Sequence, residues 1–268
     1  MHPVPLFDPD KVGRPMRVAA FMSGSGTNIV RLIELEKILR AKEGTPPFEV
    51  AFIFSDRSDG TCHGEKIACE RAIPYISLDI RTFHRLRGLK RNVAVPEGLH
   101  ARREFDKTPA TLIRSFDIDV VALGGYMSYT TIERCINVHP ADLSILTSDG
   151  KRRYVGDHAV LDAIAAGETS LRSSTIWTDQ GVDTGPVLMI SKPLPVELPL
   201  PLDDLRRNRE RLIRVSEEHQ ARLKETGDWK IFPRTVEMIA RGRFALDPMG
   251  MVYVDGLPVP AGYREDGE

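Results

Sequence analysis

The sequence predicts a doubly wound α/β fold on a mostly parallel sheet, ending in a C-terminal hairpin. Two observations carry this reading. Residues 16–22, 48–54 and 118–123 are short, continuous apolar runs of the kind that form strands buried on both faces. Helical spacing separates them, clearest in Ile29, Val30, Leu32, Ile33, Leu35, Ile38 and Leu39 after the first run. Strand and helix in alternation imply parallel pairing.

The elements follow in order. Residues 1–15 (MHPVPLFDPDKVGRP) are Pro-rich and polar and read as an N-terminal extension outside the core, ahead of a single domain over 16–268. The strand 16–22 ends in Ser23-Gly24-Ser25-Gly26-Thr27-Asn28 and feeds the first helix; the strand 48–54 ends in the polar turn 55–60. A helix over 62–72 and a short strand near 73–78 come next. Residues 84–102 are basic and irregular and read as an inserted surface loop. A helix over 103–116 leads into the strand 118–123, which ends in Gly124-Gly125. Another short strand covers 136–139, a polar loop 147–154 precedes a helix over 157–166, and strand-like stretches at 171–178 and 187–192 flank Asp183-Thr184-Gly185-Pro186. A charged helical segment over 202–226, a helix over 231–242 and a hairpin turning at Asp255-Gly256 complete the chain.

Composition narrows the functional classes. The chain has 268 residues, 41% hydrophobic and 28% charged, which suits one large globular domain. Lys and Arg total 37 against 38 Asp and Glu, a net charge of −1, and a groove driven by counterion release needs a basic excess, so no nucleic-acid partner is expected. No apolar run approaches the ~20 residues that span a bilayer, and no charged-then-apolar leader opens the sequence. Cys62, Cys69 and Cys135 give neither a disulfide framework nor a paired metal motif. The expectation is a cytoplasmic enzyme without a metal or a membrane partner.

Three segments carry chemistry. Gly24 and Gly26 sit where a strand feeds a helix, and a helix N-terminus offers free N–H groups and a positive dipole end to a phosphate. The same turn would serve a dinucleotide, with Asp56 placed for a ribose, but the third glycine of that motif would fall at Ile29. Asn137 and His139 alternate on a predicted strand and so share a face, and an amide donor beside an imidazole suits a carbonyl oxygen that becomes negative. Asp183, on a tight Gly-Pro turn, would orient the imidazole and favour its protonated form by charge.

Taken in order, RVAAFMSGSGTN, DVVALGGYM, INVHP and GVDTGPVL resemble the folate-dependent formyltransferases, most nearly those acting on glycinamide ribonucleotide in purine synthesis. Arg103-Glu104-Phe105-Asp106, Glu218-His219 and the ending Asp255-Gly256-Leu257-Pro258 with Gly262-Tyr263 extend the resemblance from about Met16 to the C-terminus. It implies a Rossmann-like formyltransferase fold and direct transfer of formyl from 10-formyltetrahydrofolate, as co-substrate, to a primary amine without a metal. By the same resemblance Asn137, His139 and Asp183 are catalytic. Gly26, Thr27 and Asn28 would hold a substrate phosphate and Glu218 the glycinamide part. Tyr126, Met127, Ser128 and Tyr129 would line the folate pocket. The sequence departs from the family in Ser128-Tyr129, where Arg and an aliphatic residue are preferred, in the lengthened loop 141–157, at Ile176, and in charged insertions around 84–102 and 220–230. These leave room for an oligomer and for alternatives: an N-formyltransferase acting on an amino sugar nucleotide or a specialised metabolite, a catalytically silent protein, or an NAD-binding one.

Overall fold

The structure, a computed structural model, describes residues 2–264; residue 1 of the expected extension and residues 265–268 of the expected domain lie outside it. The chain packs as two compact units. One comprises Phe7–Asn137 with Ala240–Gly242; the other comprises the residues up to Leu6, Val138–Ile239 and the chain from Arg243 onward.

The first unit is a parallel sheet with connecting helices. Its strands are β1 (Met16–Met22), β2 (Phe48–Ser55), β3 (Tyr75–Ser77), β4 (Val120–Leu123) and the start of β5 (Cys135–His139). They pair in the order β5-β4-β1-β2-β3, every ladder parallel. The connections carry α1 (Thr27–Glu43), α2 (Gly64–Arg71), α3 (Ile80–Arg87) and α4 (Pro96–Ser115). β1 is buried along nearly its whole length because both of its faces are covered, which is why it reads as an unbroken apolar run. Phe21, Phe52, Phe54, Phe83, Phe105 and Tyr126 interlock beside it, with ring centroids 4.8 Å apart for Phe21 and Phe54 and 5.3 Å for Phe83 and Phe105.

Residues 84–102 are not the surface loop that their composition suggests. α3 runs through 87 and α4 starts at 96, seven residues before the expected helix. The signals were local: Asp79 caps α3 by accepting from the Thr82 N–H at 2.6 Å, Gly88 ends it in a left-handed conformation, and Pro96 occupies the first turn of α4. Of the basic residues here, Arg85 and Arg87 are exposed on α3, Lys90 and Arg91 lie between the two helices, and Arg102 is buried on α4. Nor do residues 1–15 all stand outside the packing. Phe7 is buried, Asp8 caps a helical turn at Pro9–Val12, and Val4–Pro5 forms a strand.

The second unit holds α5 (Ala159–Ala166), β6 (Ser174–Trp177), β7 (Val187–Ile190), α6 (Leu202–Arg207), α7 (Arg209–Leu223) and all but the last residue of α8 (Trp229–Ala240). β6 and β7 are antiparallel, and the terminal strand Tyr263–Arg264 adds to β7 in parallel. Val4–Pro5, Phe244–Leu246, Val252–Val254 and Leu257–Pro258 form a four-stranded antiparallel sheet. Its last turn is the expected hairpin at Asp255-Gly256, where φ values of 51° and 80° suit a tight two-residue turn.

The charged segment 202–226 is broken at Asn208, whose side chain caps α7 by accepting from the Arg211 N–H. The region around 220–230 is not simply solvated surface. A π-helical turn, Lys224–Asp228, buries Gly227 and Asp228, and a side chain at Gly227 would meet the Ser173 hydroxyl at 2.5 Å. The Ser173 hydroxyl donates to Asp228 at 2.5 Å, and burial pushes the Asp228 carboxyl up to about 6. Among the described residues no helix is long and apolar enough to cross a membrane.

Because its folded value lies above its unfolded one, Asp228 contributes stability below about pH 4 that is lost as pH rises through about 6. Asp228→Asn, which keeps an acceptor for Ser173, should therefore be more stable than the parent at pH 8 by roughly 1–3 kcal/mol. Urea unfolding should show that gain shrinking to nothing near pH 4. A constant difference across that range would contradict the buried-charge assignment.

Candidate active site

β5 carries Asn137 and His139 two residues apart, on the same face of one strand. Asn137 belongs to the first unit, where its backbone pairs with Leu123; His139 belongs to the second. His139 Nδ1 lies 3.3 Å from the Asp183 carboxylate, with the two side chains 7% and 9% exposed. The expected pair is therefore assembled. Asp183 sits at φ 53°, a left-handed conformation that aspartate tolerates better than most side chains.

The loop after His139 supplies the rest of the pair's surroundings. The Tyr154 carbonyl is 3.3 Å from His139 Nε2, and the Gly156 N–H donates to Asp183 Oδ2 at 3.1 Å. The Arg152 guanidinium donates to the backbone carbonyl of Asp183 and, at 2.5 Å, to that of Gly185. Gly185 packs so closely on the Trp177 carbonyl that a side chain would overlap it at 1.9 Å. The loop is stitched internally: Thr147 N–H donates to Lys151 O, and Arg153 N–H to Ile145 O. Sequence reading missed Arg152, Tyr154 and Gly156. Two of them act through backbone atoms, which leave no side-chain signature, and Arg152 is one cation in a polar run.

These contacts set the protonation of the ring. Burial pushes His139 below the ordinary imidazole range; the Asp183 carboxylate opposes this without overcoming it. The charge effect expected of Asp183 is thus present, but desolvation outweighs it. A neutral ring has one N–H for two facing oxygens, whereas an imidazolium satisfies both. The site therefore keeps a neutral ring at rest and is shaped to hold the proton once it arrives.

The glycine turn is in the first unit. Gly26 is buried at φ 69°, and a side chain there would meet Met22 at 2.4 Å and Ile67 at 2.7 Å. Gly26 offers no side-chain cap, so the first-turn N–H groups of α1 at Thr27, Asn28 and Ile29 are the donors available to an anion. Thr27 is exposed, and Asn28 is half-buried with Oδ1 lacking a partner. Close approach of helix to strand is achieved from the other side. Ile29 is fully buried against Gly124, where a side chain would come within 2.2 Å of it. Asp56 is not free for a ribose: it is fully buried and accepts from the Ser23 hydroxyl at 2.6 Å and from the Ser128 hydroxyl.

The loop 126–129 divides. Tyr126 turns inward; its hydroxyl accepts from Arg102 at 2.9 Å, and burial holds its phenol well above the ordinary range. Only its backbone is left to line a pocket. Arg102 also pairs with Asp106 at 2.7 Å, and Asp106 accepts from the Thr131 N–H at 2.7 Å, so one buried ion pair braces the loop. Met127 is 66% exposed, and Ser128 and Tyr129 are half-buried. Glu218 is in the second unit, exposed on α7. Its neighbour His219 is structural: Nδ1 faces the Val215 carbonyl at 2.7 Å and Nε2 accepts from the Glu197 N–H. Among the described residues no group of three or more His, Cys, Asp or Glu could hold a metal ion.

Comparison with known proteins places the fold and the family. The formyl transferase family model matches residues 16–207. Phosphoribosylglycinamide formyltransferase of Haemophilus influenzae is 23% identical over 258 residues, covering 93% of this chain and 99% of that protein. The enzyme of that name from Escherichia coli is 25% identical over 260 residues, covering 94% and 100%. The solved phosphoribosylglycinamide formyltransferase of Coxiella burnetii shares the fold, with a TM-score of 0.64 at 23% identity over 94% of this chain and 99% of that one. A formyltetrahydrofolate deformylase from Pseudomonas syringae shares it at 0.57 and 16% identity, covering 90% and 66%. With the family match spanning more than half its length, and with its buried His139–Asp183 pair inside that match, the chain belongs to the formyl transferase family.

Proposed function

We propose that this protein transfers the formyl group of 10-formyltetrahydrofolate to the primary amine of glycinamide ribonucleotide, a step of purine synthesis. The buried His139–Asp183 pair carries the reading. The near full-length similarity to enzymes named for that reaction supports the choice of acceptor.

The amine lone pair attacks the formyl carbon, and the carbonyl electrons move onto oxygen. The Asn137 amide donates to that oxyanion. The attacking nitrogen becomes cationic and loses a proton to the His139–Asp183 pair, whose imidazolium form has an oxygen facing each ring nitrogen. The bond from carbon to the folate nitrogen then breaks, the proton passes to that nitrogen, and tetrahydrofolate leaves. The N–H groups at Thr27 and Asn28, opened by Gly26, take the substrate phosphate, and Glu218 meets the glycinamide part. The backbone of 126–130 takes the pterin.

Release of tetrahydrofolate from 10-formyltetrahydrofolate, with glycinamide ribonucleotide as acceptor and an amino sugar nucleotide as control, tests the assignment. Turnover with the ribonucleotide alone is expected. Turnover with the sugar nucleotide alone would move the chain to another acceptor. Under the same conditions His139→Ala should lower kcat by about 10²–10³-fold, the scale of a lost oxyanion or proton-transfer group, and an unchanged rate would remove His139 from the chemistry. Arg152→Lys loses the planar fork whose two nitrogens each meet one carbonyl, so the Asp183 turn should loosen and kcat/KM fall between about 10- and 100-fold. A wild-type value would show that the turn holds itself.

A further inference from the structure

Three adjacent strands of the first unit, β4, β1 and β2, end side by side, and the strand order turns at β1. Ligands of open α/β sheets gather outside such carboxyl ends. Here the three strand ends are joined by one side chain. Asp56 follows β2 and is fully buried. Its Oδ1 accepts from the Ser23 hydroxyl at 2.6 Å, and Ser23 follows β1 at the head of the glycine turn. Its Oδ2 accepts from the Ser128 hydroxyl, in the loop after β4. Ser23 Oγ in turn accepts from the Met127 N–H at 2.9 Å. The Asp56 carbonyl accepts from the Ile80 N–H at 3.1 Å, tying the same residue to the start of α3.

We infer that Asp56 is a positioning residue for formyl transfer: its buried carboxylate fixes the spacing between the turn that takes the substrate phosphate and the loop that takes the pterin. The inference rests on the ligand placement proposed above. The geometry asks for two polar atoms at the end of this side chain. Each oxygen takes one hydroxyl, and the Ser23 hydroxyl donates to Asp56 while accepting from Met127, so a displacement of either loop breaks a bond at the shared residue. Ser128 stands where the family prefers arginine. Its short side chain turns inward onto Asp56, so the loop is held from beneath by this network. With no exposed surface, Asp56 cannot itself meet a ligand, and its effect must pass through the two loops.

Steady-state kinetics on the full chain, varying each substrate in turn, separate this role from a merely structural one. Ser128→Ala removes one of the ties on the pterin loop and should raise KM for 10-formyltetrahydrofolate about 10-fold while leaving KM for glycinamide ribonucleotide within about twofold. Asp56→Ala frees both loops and should raise both KM values about 10-fold or more. Asp56→Asn should restore both to within about threefold, since an amide offers one acceptor and one donor and a serine hydroxyl can reverse its sense. If Asp56→Ala does not fold, the one-sided response of Ser128→Ala still decides. KM values unmoved in Ser128→Ala, or a fall in kcat alone, would overturn the inference and leave the proposed function standing. A parent chain without turnover would overturn the proposed function and this inference with it. Hydrogen exchange at the Met127 amide is a ligand-free check. It should be slow in the parent and faster in Ser23→Ala, and equal rates would show that the tether is not there.

Discussion

Two oxygens face one buried imidazole, and much of the second unit is arranged to keep them there. His139 ends β5, Asp183 sits on a left-handed turn, and the two meet because the chain between them folds back through the 145–153 excursion. Arg152 holds the turn by its carbonyls, Gly156 holds the carboxylate, and Tyr154 presents its carbonyl to the far side of the ring. Gly185 lets the turn lie on Trp177. Desolvation lowers the ring's affinity for a proton, and the oxygens restore part of it.

The first unit solves a different problem, the presentation of backbone donors at the ends of parallel strands. Gly26 supplies the left-handed entry to α1, and Gly124 makes room for Ile29. Two buried polar networks then fix the loop after β4: Arg102–Asp106 reaches Tyr126 and Thr131, and Asp56 reaches Ser23 and Ser128. Buried charges of this kind are costly to leave unpaired, which makes each network intolerant of a slipped loop.

The fold class was legible because both faces of β1, β2 and β4 are covered, and continuous burial writes itself as continuous apolar sequence. The meeting of His139 and Asp183 was legible because short, distinctive motifs carry both residues. What stayed hidden lies where composition and local structure disagree. The basic residues of 84–102 mask a well-capped α3 and the early start of α4, because a charged side chain says nothing about the backbone that carries it. Asp56 looked like a ribose ligand because position alone suggested it, and only the two serines, 33 residues before it and 72 after, show that it is already engaged. Tyr154 and Gly156 act through main-chain atoms, which no residue pattern records.

The protonation of His139 is the most direct test of how this site is built. Nitrogen-detected NMR of the histidines across pH, with the signal assigned through His139→Gln, reads it without substrate. The expected result is a midpoint below the ordinary value of about 6.5, with Nδ1 carrying the proton in the neutral form, and a further drop in Asp183→Asn. A midpoint at or above that value, unmoved by the substitution, would contradict the account of a buried neutral ring supported by Asp183.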